Sequence, residues 1–181
     1  DLEVNRIISS KIINKIVPYQ KNGIWLDVGF GNGSLIFTAD EYGFQTIGLD
    51  LREENVNTLI KLGFETYKNE ICNFKHDKLV SVISMADVLE HTNYPVNALK
   101  SAKRLLKKNG VLFLSMPNSD QISWKIATEQ NKNPYWGELE HYHNFSRKRM
   151  YELLIAHNFT PINYSISERY RMCMEIIAIA N

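Results

Sequence analysis

The sequence is poor in features that mark secreted, membrane or nucleic-acid-binding chains. It has two cysteines, Cys72 and Cys173, far apart and outside any metal-ligand spacing, so we expect a reducing compartment rather than a disulfide scaffold. Its longest apolar runs, such as VLFL, fall far short of the roughly 20 residues of a membrane span. The net charge of +1 gives no general attraction to nucleic acid or anionic membranes. With no signal-peptide pattern at its start, the chain is expected to be cytoplasmic, without nucleic-acid or membrane partners.

What is present is the composition of one globular domain. Hydrophobic residues make up 44% of the 181 residues and charged residues 23%. A chain of this length can bury a hydrophobic core that is stable without disulfide bonds or structural metal ions. Neither an internal repeat nor a low-complexity linker divides the chain, which predicts a single domain over residues 1–181. The chain begins at Asp1 rather than at a methionine, so the possibility that it is part of a larger protein stays open.

Strand and helix patterns alternate along most of the chain. Apolar residues at helical spacing predict an N-terminal helix within residues 1–18, ended by Pro18. Strand patterns follow in IWLDVG, QTIGLD, FETYK, LVSVISM and VLFLSMP, with helices in SLIFTADEY, EENVNTLIKLG and Pro95–Lys108. This alternation is typical of a parallel sheet covered by helices on both faces. FTPINYSIS and CMEIIAIA come after a helix over Arg147–His157 and predict a closing antiparallel pair.

The stretch LDVGFGNGSL, residues 26–35, has three glycines at alternate positions directly after a buried strand. We expect Gly29 to let the chain leave the strand, Gly31 to remove a Cβ that would meet a ligand, and Gly33 to let the next helix begin close to the strand. The spacing differs from the G-x-G-x-x-G of dinucleotide sites. An ordinary tight turn is the alternative interpretation.

Two acids flank this loop and indicate which ligand it suits. Asp27 would repel a pyrophosphate but attract an ammonium group. Asp50 ends the second strand, 17 residues after Gly33, and suits a ribose with both hydroxyls free; a solvated strand end is the alternative. An ammonium group and a ribose together describe S-adenosylmethionine.

The chain resembles the class I S-adenosylmethionine-dependent methyltransferases from about Ile24 to its end. LDVGFGNGSL is similar to their first motif and IGLDL to their second. ISMADVLEHTNYPVNALKSAKRLLKKNGVLFLSMPN and EHYHNFSRKRMYELLIAHNF are similar to the small-molecule branch that includes the ubiquinone-biosynthesis O-methyltransferases. The resemblance implies an α/β fold, a Rossmann-like doubly wound sheet of seven strands, mostly parallel with an antiparallel last strand. It also implies S-adenosyl-L-methionine as cofactor and a small-molecule acceptor methylated on oxygen.

The resemblance further implies which residues contact the cofactor. The methionine part is expected at Asp27 and the three glycines, and the ribose at Asp50. The contacts implied near the adenine are Leu51, Glu70 or Ile71, and Met85, although NEICNF departs from the acidic-then-small pattern common there.

Two clusters of acids and histidines can carry chemistry. ADVLEH places Asp87, Glu90 and His91 on one face of a helical turn. Similar positions in the ubiquinone O-methyltransferases bind a divalent metal, while hydrogen bonds that shape the loop are the alternative without metal. GELEHYHNF supplies His141 and His143, either of which can accept a proton from an acceptor hydroxyl; bracing of the loop is the alternative for His141.

Residues 119–145 interrupt the alternation and predict a helix plus a loop before Ser146, a helix cap. This insertion is expected over the carboxyl ends of the strands, where open parallel sheets bind ligands. We therefore take Trp124, Trp136 and Glu138 as candidate contacts to the acceptor. The aromatic residues form either a lid or simply the core of the insertion.

The sequence lacks the patterns of other enzymes that share this type of fold. A short-chain dehydrogenase needs a tyrosine and a lysine four residues apart, which none of the nine tyrosines has, so an NAD-dependent oxidoreductase is remote. MADV and MPN, at the ends of the fourth and fifth strands, lack the signatures of DNA amino- and cytosine-5 methylation. A catalytically silent S-adenosylmethionine-binding module of a larger protein stays open. The oligomeric state cannot be predicted from these patterns.

Overall fold

A seven-stranded sheet forms the centre of the molecule. The computed structural model describes residues 2–170 and 172–181. In these residues the strands are β1 Ile24–Val28, β2 Gln45–Asp50, β3 Glu65–Lys68, β4 Val80–Ala86, β5 Leu106–Pro117, β6 Phe159–Ile166 and β7 Cys173–Ala180. Their order is β3-β2-β1-β4-β5-β7-β6, with β1 to β5 parallel and β7 antiparallel to both neighbours. The predicted Rossmann-like sheet with its antiparallel end is confirmed.

The helices cover both faces of this sheet. They are α1 Leu2–Ile16, α2 Ser34–Glu41, α3 Glu53–Lys61, α4 Pro95–Leu105, α5 Ile122–Glu129 and α6 Arg147–Ala156, with 3₁₀ turns at Leu89–His91 and Pro134–Gly137. Ser146 caps α6, since its side chain accepts a hydrogen bond from the Arg149 amide, as predicted. In the described part of the chain, no helix is long and apolar enough to cross a membrane.

One helix boundary differs from the prediction. The helix that begins at Pro95 was expected to continue to Lys108, but α4 ends at Leu105. Leu106 instead pairs with Val80 at the start of β4 and is buried there. Strand pairing of this apolar residue therefore outweighs the helix propensity of the lysines that follow it.

Side chains of the strands point alternately into two apolar layers, as the period of a strand requires. Trp25 packs with Val82 and Phe113 against α1 and α2. Leu26, the next residue, packs with Ile83 on the opposite face, where α4 and α6 lie. Burial on both faces explains why the central strands read as continuous apolar runs.

Candidate active site

The strand order reverses between β1 and β4, which lie side by side although β2 and β3 separate them in sequence. Open parallel sheets bind ligands at such a switch point, beyond the carboxyl ends of the strands. A cleft of about 320 Å³ opens there. It is lined by the glycine loop with Asp27, by Arg52 and Ala86, by one face of α1, and by Arg169 from the turn between β6 and β7.

All three glycines of the loop have left-handed backbones, with φ of 69°, 61° and 82° for Gly29, Gly31 and Gly33. A Cβ at Gly29 would lie 2.6 Å from Val88 Cγ2, and one at Gly33 would lie 2.9 Å from Phe37 Cζ. The close approach at Gly33 is therefore to side chains of α2 and α3, and α2 begins at the next residue, Ser34. Both positions require glycine for packing as well as for φ.

Gly31 lines the cleft, as does Gly29, but the surroundings of Gly31 are more open. A Cβ built there would meet nothing closer than Arg52 Nη2 at 3.7 Å, so the protein itself leaves room beside this backbone. Its amide donates to Asp50 Oδ2 at 2.9 Å. The loop and the end of β2 are thus held together across the cleft.

Asp50 is buried and makes several hydrogen bonds at the end of β2. Arg52 donates to it from its amide at 2.8 Å and from Nε and Nη2 at 3.1 Å each, and Asn55 Nδ2 lies 3.3 Å from Oδ2. Burial alone would raise the pKa of Asp50, but these bonds together lower it below its ordinary value. Asp50 is therefore an ionised acceptor and not a solvated strand end.

Asp27 is buried beside the loop and depends on a serine of the neighbouring strand. Ser84 pairs with Asp27 in the register of β1 and β4, and its hydroxyl donates to Asp27 Oδ1 at 2.6 Å. The Ser84 oxygen accepts from Trp25 Nε1 at 2.8 Å. Burial raises the pKa of Asp27 to about 7, against the opposing effects of Ser84 and of the Arg169 charge. A cationic ligand would restore its ionised form.

Of the four residues implied at the adenine end, two are exposed and two are buried. Leu51 is 60% exposed directly after Asp50, and Glu70 is exposed. Ile71 and Met85 are buried in the apolar core. None of the four lines the cleft described above, so their contact with adenine stays a prediction.

A second group of polar side chains lies beside the cleft, near the end of β4. Ligand atoms of Glu90, His91 and His141 all lie within 4.8 Å of one another. The Glu90 carbonyl accepts from the amides of Tyr142 and His143 at 3.0 and 3.2 Å, which holds the end of the insertion against the 3₁₀ turn. The sequence thus predicted Glu90 and His91 as neighbours but missed their contact with His141.

The hydrogen-bonding of this group is incomplete. Glu90 is 1% exposed, and among the described residues both of its carboxyl oxygens, His141 Nδ1 and His143 Nε2 are buried without a partner. Burial raises the pKa of Glu90 to about 8 and lowers the pKa of His141. His91 Nδ1 lies 3.0 Å from the Glu140 carbonyl; since a carbonyl only accepts, we assign the proton to this nitrogen. Buried polar groups without partners indicate a place for a ligand.

Asp87 has other partners. Ser115 Oγ donates to its Oδ1 at 3.1 Å, and Arg169 Nη1 lies 3.2 Å from its Oδ2. Its backbone is left-handed, with φ of 57°. The structure therefore joins Glu90 and His91 to His141, and Asp87 to Arg169, where the sequence suggested one trio of Asp87, Glu90 and His91.

The insertion has an aromatic core of its own. Trp124 is buried and stacks on Tyr135 at 5.1 Å between centroids. Trp136 packs edge-on against Trp124 at 5.8 Å. His141 stacks on the same Tyr135 at 5.6 Å, so this core positions the histidine. Trp136 and Glu138 are exposed, and their contact with an acceptor stays a prediction.

Sequence reasoning missed part of the cleft wall. Asn5, Ser9 and Ile12 of α1 line it, as does Arg169. Ser9 within an apolar helix face was an available signal for α1. Nothing local marks Arg169, because only the pairing of β7 with β5 brings its turn to this edge of the sheet.

Comparisons with known proteins agree with this architecture. A family model described as a methyltransferase domain matches residues 4–164. The ubiquinone biosynthesis O-methyltransferase of Yersinia enterocolitica is 30% identical over 110 residues, which cover 56% of this chain and 46% of that protein. Its counterpart from Pelagibacter ubique is 28% identical over 115 residues, or 59% and 47% of the two chains. The chain spans about half the length of the curated relatives it matches.

Solved structures show the same fold at low sequence identity. Magnesium protoporphyrin IX methyltransferase from Synechocystis, solved with bound S-adenosylhomocysteine, has a TM-score of 0.78 at 13% identity and covers 98% of this chain and 84% of its own. The 1,6-didemethyltoxoflavin-N1-methyltransferase of Burkholderia thailandensis has a TM-score of 0.74 at 17% identity, covering 100% and 80%. Because the family model matches most of its length, the chain belongs to the methyltransferase domain family.

Proposed function

We propose that this chain is one domain that transfers a methyl group from S-adenosyl-L-methionine to an oxygen of a small-molecule acceptor by direct in-line displacement. The observation that carries the proposal is a cleft at the switch point of the sheet that Asp27 and Gly31 line, with Asp50 directly behind it, bonded to the lining residues Gly31 and Arg52. The family match and the ligand named in the Synechocystis structure support the choice of cofactor. The ubiquinone O-methyltransferase relatives support oxygen as the acceptor atom.

In this proposal the cofactor lies along the glycine loop. Its ammonium group faces Asp27, and its ribose hydroxyls donate to Asp50. Arg52 now occupies the Asp50 carboxylate, but the Arg52 side chain is 67% exposed. Asp50 itself is 3% exposed, so in this proposal the ribose hydroxyls replace the hydrogen bonds from the Arg52 side chain, while the amides of Gly31 and Arg52 keep theirs.

The acceptor is proposed to bind on the side of Glu90 and His141. Its oxygen attacks the methyl carbon, the carbon–sulfur bond breaks, and the sulfonium becomes a neutral thioether. His141 accepts the hydroxyl proton, and burial favours the neutral form that a base needs by lowering its pKa. His143 is the second candidate for this role, and Trp136 and Glu138 are proposed to contact the acceptor at the mouth. Alignment of oxygen, methyl and sulfur supplies much of the rate.

The unpartnered carboxyl group of Glu90 also fits a divalent cation. One carboxylate and two imidazoles, from Glu90, His91 and His141, form a donor set that Zn²⁺, Mn²⁺ or Fe²⁺ accepts. A bound cation would polarise an acceptor hydroxyl. Full activity after chelator treatment, with no divalent ion added back, would argue against this use of the cluster.

Product analysis tests the proposed function. The purified protein is incubated with S-adenosylmethionine and a broad panel of phenols, sugars and carboxylic acids, and methylated products are located by NMR. We expect an O-methylated product, and a loss of turnover of about 100-fold or more in His141→Gln with unchanged S-adenosylhomocysteine binding. Binding of the cofactor without methylation of any acceptor would favour a silent binding module. NAD binding that Asp50→Ala abolishes would favour an oxidoreductase.

The state of the cysteines supports a proposal for the cellular location. Cys72 and Cys173 are both free thiols in the structure, which fits a reducing compartment. We propose a cytoplasmic location on this basis.

A further inference from the structure

Arg169 lines the cofactor cleft although its sequence position is remote from the glycine loop. It lies in the turn between β6 and β7, and it shares the cleft with Asp27, Gly29 and Ser9. Its side chain is 38% exposed, and its Nη1 lies 3.2 Å from Asp87 Oδ2. Its positive charge lowers the pKa of both Asp27 and Asp87, against the effect of their burial. The guanidinium group therefore contacts Asp87 and lines the same cleft as Asp27.

The charges on the cleft wall are few. Among the residues that the structure describes, Asp27, Arg52 and Arg169 are the charged ones that line it. Arg52 is bound to Asp50 through three hydrogen bonds at the ribose end. Within the described part of the chain, Arg169 is the remaining cation of the lining.

The methionine part of the cofactor carries an ammonium group and a carboxylate on one carbon atom. Where Asp27 pairs with the ammonium, the carboxylate enters the same partly buried space, and an unpaired charge there is costly. A guanidinium group offers five N–H donors in a planar fork that matches a carboxylate. Arg169 Nη1 lies 3.2 Å from Asp87 Oδ2, and a guanidinium group paired at one corner can still offer its other donors to a second carboxylate.

We infer that Arg169 binds the α-carboxylate of the cofactor, so that Asp27 and Arg169 together recognise its amino-acid end. The inference rests on the proposed function, because it presumes that S-adenosylmethionine occupies this cleft. It adds a binding residue that neither the glycine loop nor the strand ends supply.

The turn that carries Arg169 is held in place before any ligand binds. Ser167 Oγ accepts from the Arg169 amide at 3.1 Å, and the Glu168 amide donates to Glu175 Oε1 at 2.8 Å. Lys15 of α1 donates to Glu175 Oε2 at 2.7 Å. Arg169 is thus fixed relative to α1, which forms another wall of the cleft, and this pre-organisation lowers the entropy cost of binding.

A pair of ligands isolates the carboxylate contact. S-adenosylhomocysteine and its decarboxylated analogue, in which hydrogen replaces the carboxylate, are titrated calorimetrically without any acceptor. We expect the intact protein to prefer S-adenosylhomocysteine by at least about tenfold, equivalent to about 1.4 kcal/mol. In Arg169→Met the two affinities should become equal within about twofold. Both ligands have an amino group, so any change in Asp27 ionisation largely cancels in the ratio.

Arg52→Met is the matched control, since it removes the other arginine of the cleft. It should keep the preference for S-adenosylhomocysteine, even where both affinities change. A double variant, Arg169→Met with Asp87→Asn, tests the same ratio without leaving Asp87 unpaired, in case the single variant unfolds.

Three results would overturn the inference alone: equal binding of both ligands by the intact protein, a preference that survives in both Arg169 variants, or a preference lost in Arg52→Met. If the preference survives and the KM of a carboxylic acceptor rises instead, Arg169 serves the acceptor and the inference is wrong. Failure of the intact protein to bind either ligand overturns the proposed function, and this inference with it.

Discussion

At the scale of single residues, the candidate site depends on how each acid is solvated. Asp50 receives hydrogen bonds from Arg52, Gly31 and Asn55 and stays ionised despite its burial. Asp27 receives one short bond from Ser84, so burial prevails and its pKa rises to about 7. Two carboxylates of one cleft therefore have different charge states near neutral pH, and each state suits a different part of the ligand.

The first prediction concerns the pH dependence of ligand binding. An ammonium group pairs with ionised Asp27, so the affinity for S-adenosylhomocysteine should fall as the pH decreases through about 7, approaching tenfold per pH unit below it. Calorimetry from pH 6 to pH 8 measures this, and Asp27→Asn should bind weakly with little pH dependence. An affinity of the intact protein that is constant over this range would contradict the assignment of Asp27.

Asp27 should also affect the thermal stability of the ligand-free protein. A carboxyl group whose pKa is raised on folding favours the folded state at low pH, and this contribution is lost as the pH rises through about 7. Asp27→Asn should therefore raise the unfolding temperature by several degrees at pH 8 and by much less at pH 5. Thermal unfolding of the ligand-free protein at both pH values provides the comparison; an equal effect at both would count against ionisation of buried Asp27 as the cause.

Ser84 carries the next prediction at this scale. Ser84→Ala removes the donor to Asp27 and the acceptor of Trp25 Nε1, both in a fully buried place. Leaving these groups unpaired should lower the free energy of unfolding by about 1–3 kcal/mol. Urea denaturation measures it, with Trp25→Phe as the control that keeps the bond from Ser84 to Asp27. A neutral Ser84→Ala would show that the buried chain of bonds is unimportant.

At the scale of elements, α1 is a wall of the cleft as well as a cover of the sheet. Its apolar residues Ile12, Ile13 and Ile16 pack on the sheet, while Asn5 and Ser9 line the cleft. Lys15 joins its C-terminal turn to the strand pair through Glu175 and Glu168. An element that the sequence marks only as amphipathic thus completes the candidate site.

Removal of the Lys15 charge tests this attachment. Glu175 is 1% exposed at its side chain, so Lys15→Met leaves a buried carboxylate without its cation and should cost about 3–5 kcal/mol of stability. Lys11→Met is the matched control, because Lys11 is 56% exposed and its Nζ lies 3.4 Å from Glu168, a longer contact than that of Lys15 with Glu175. Lys11→Met should lower the free energy of unfolding by less than about 1 kcal/mol. Equal unfolding free energies for the two variants would contradict a stabilising role of the ion pair between Lys15 and the buried Glu175.

At the scale of the whole molecule, the topology explains which half of the site the sequence could predict. Asp27 lies one residue before the end of β1 and Asp50 ends β2, the next strand of a βαβ unit, so alternation of patterns was enough to place them together. The meeting of Glu90 with His141, about fifty residues on, depends on how the insertion folds back over β4. Arg169 depends on the antiparallel insertion of β7 beside β5. Periodicity identifies elements and their ends, but contacts between distant segments follow only from their packing.

Binding of S-adenosylmethionine in the cleft at the switch point can be measured by titration with its demethylated product. The intact protein, Asp50→Ala and Glu53→Ala are titrated with S-adenosylhomocysteine; Glu53 is an exposed acid nearby that pairs with Lys68. We predict micromolar-range binding by the intact protein and by Glu53→Ala, and a loss of at least about tenfold, or about 1.4 kcal/mol, in Asp50→Ala. No binding by the intact protein, or equal binding by all three, would contradict the account.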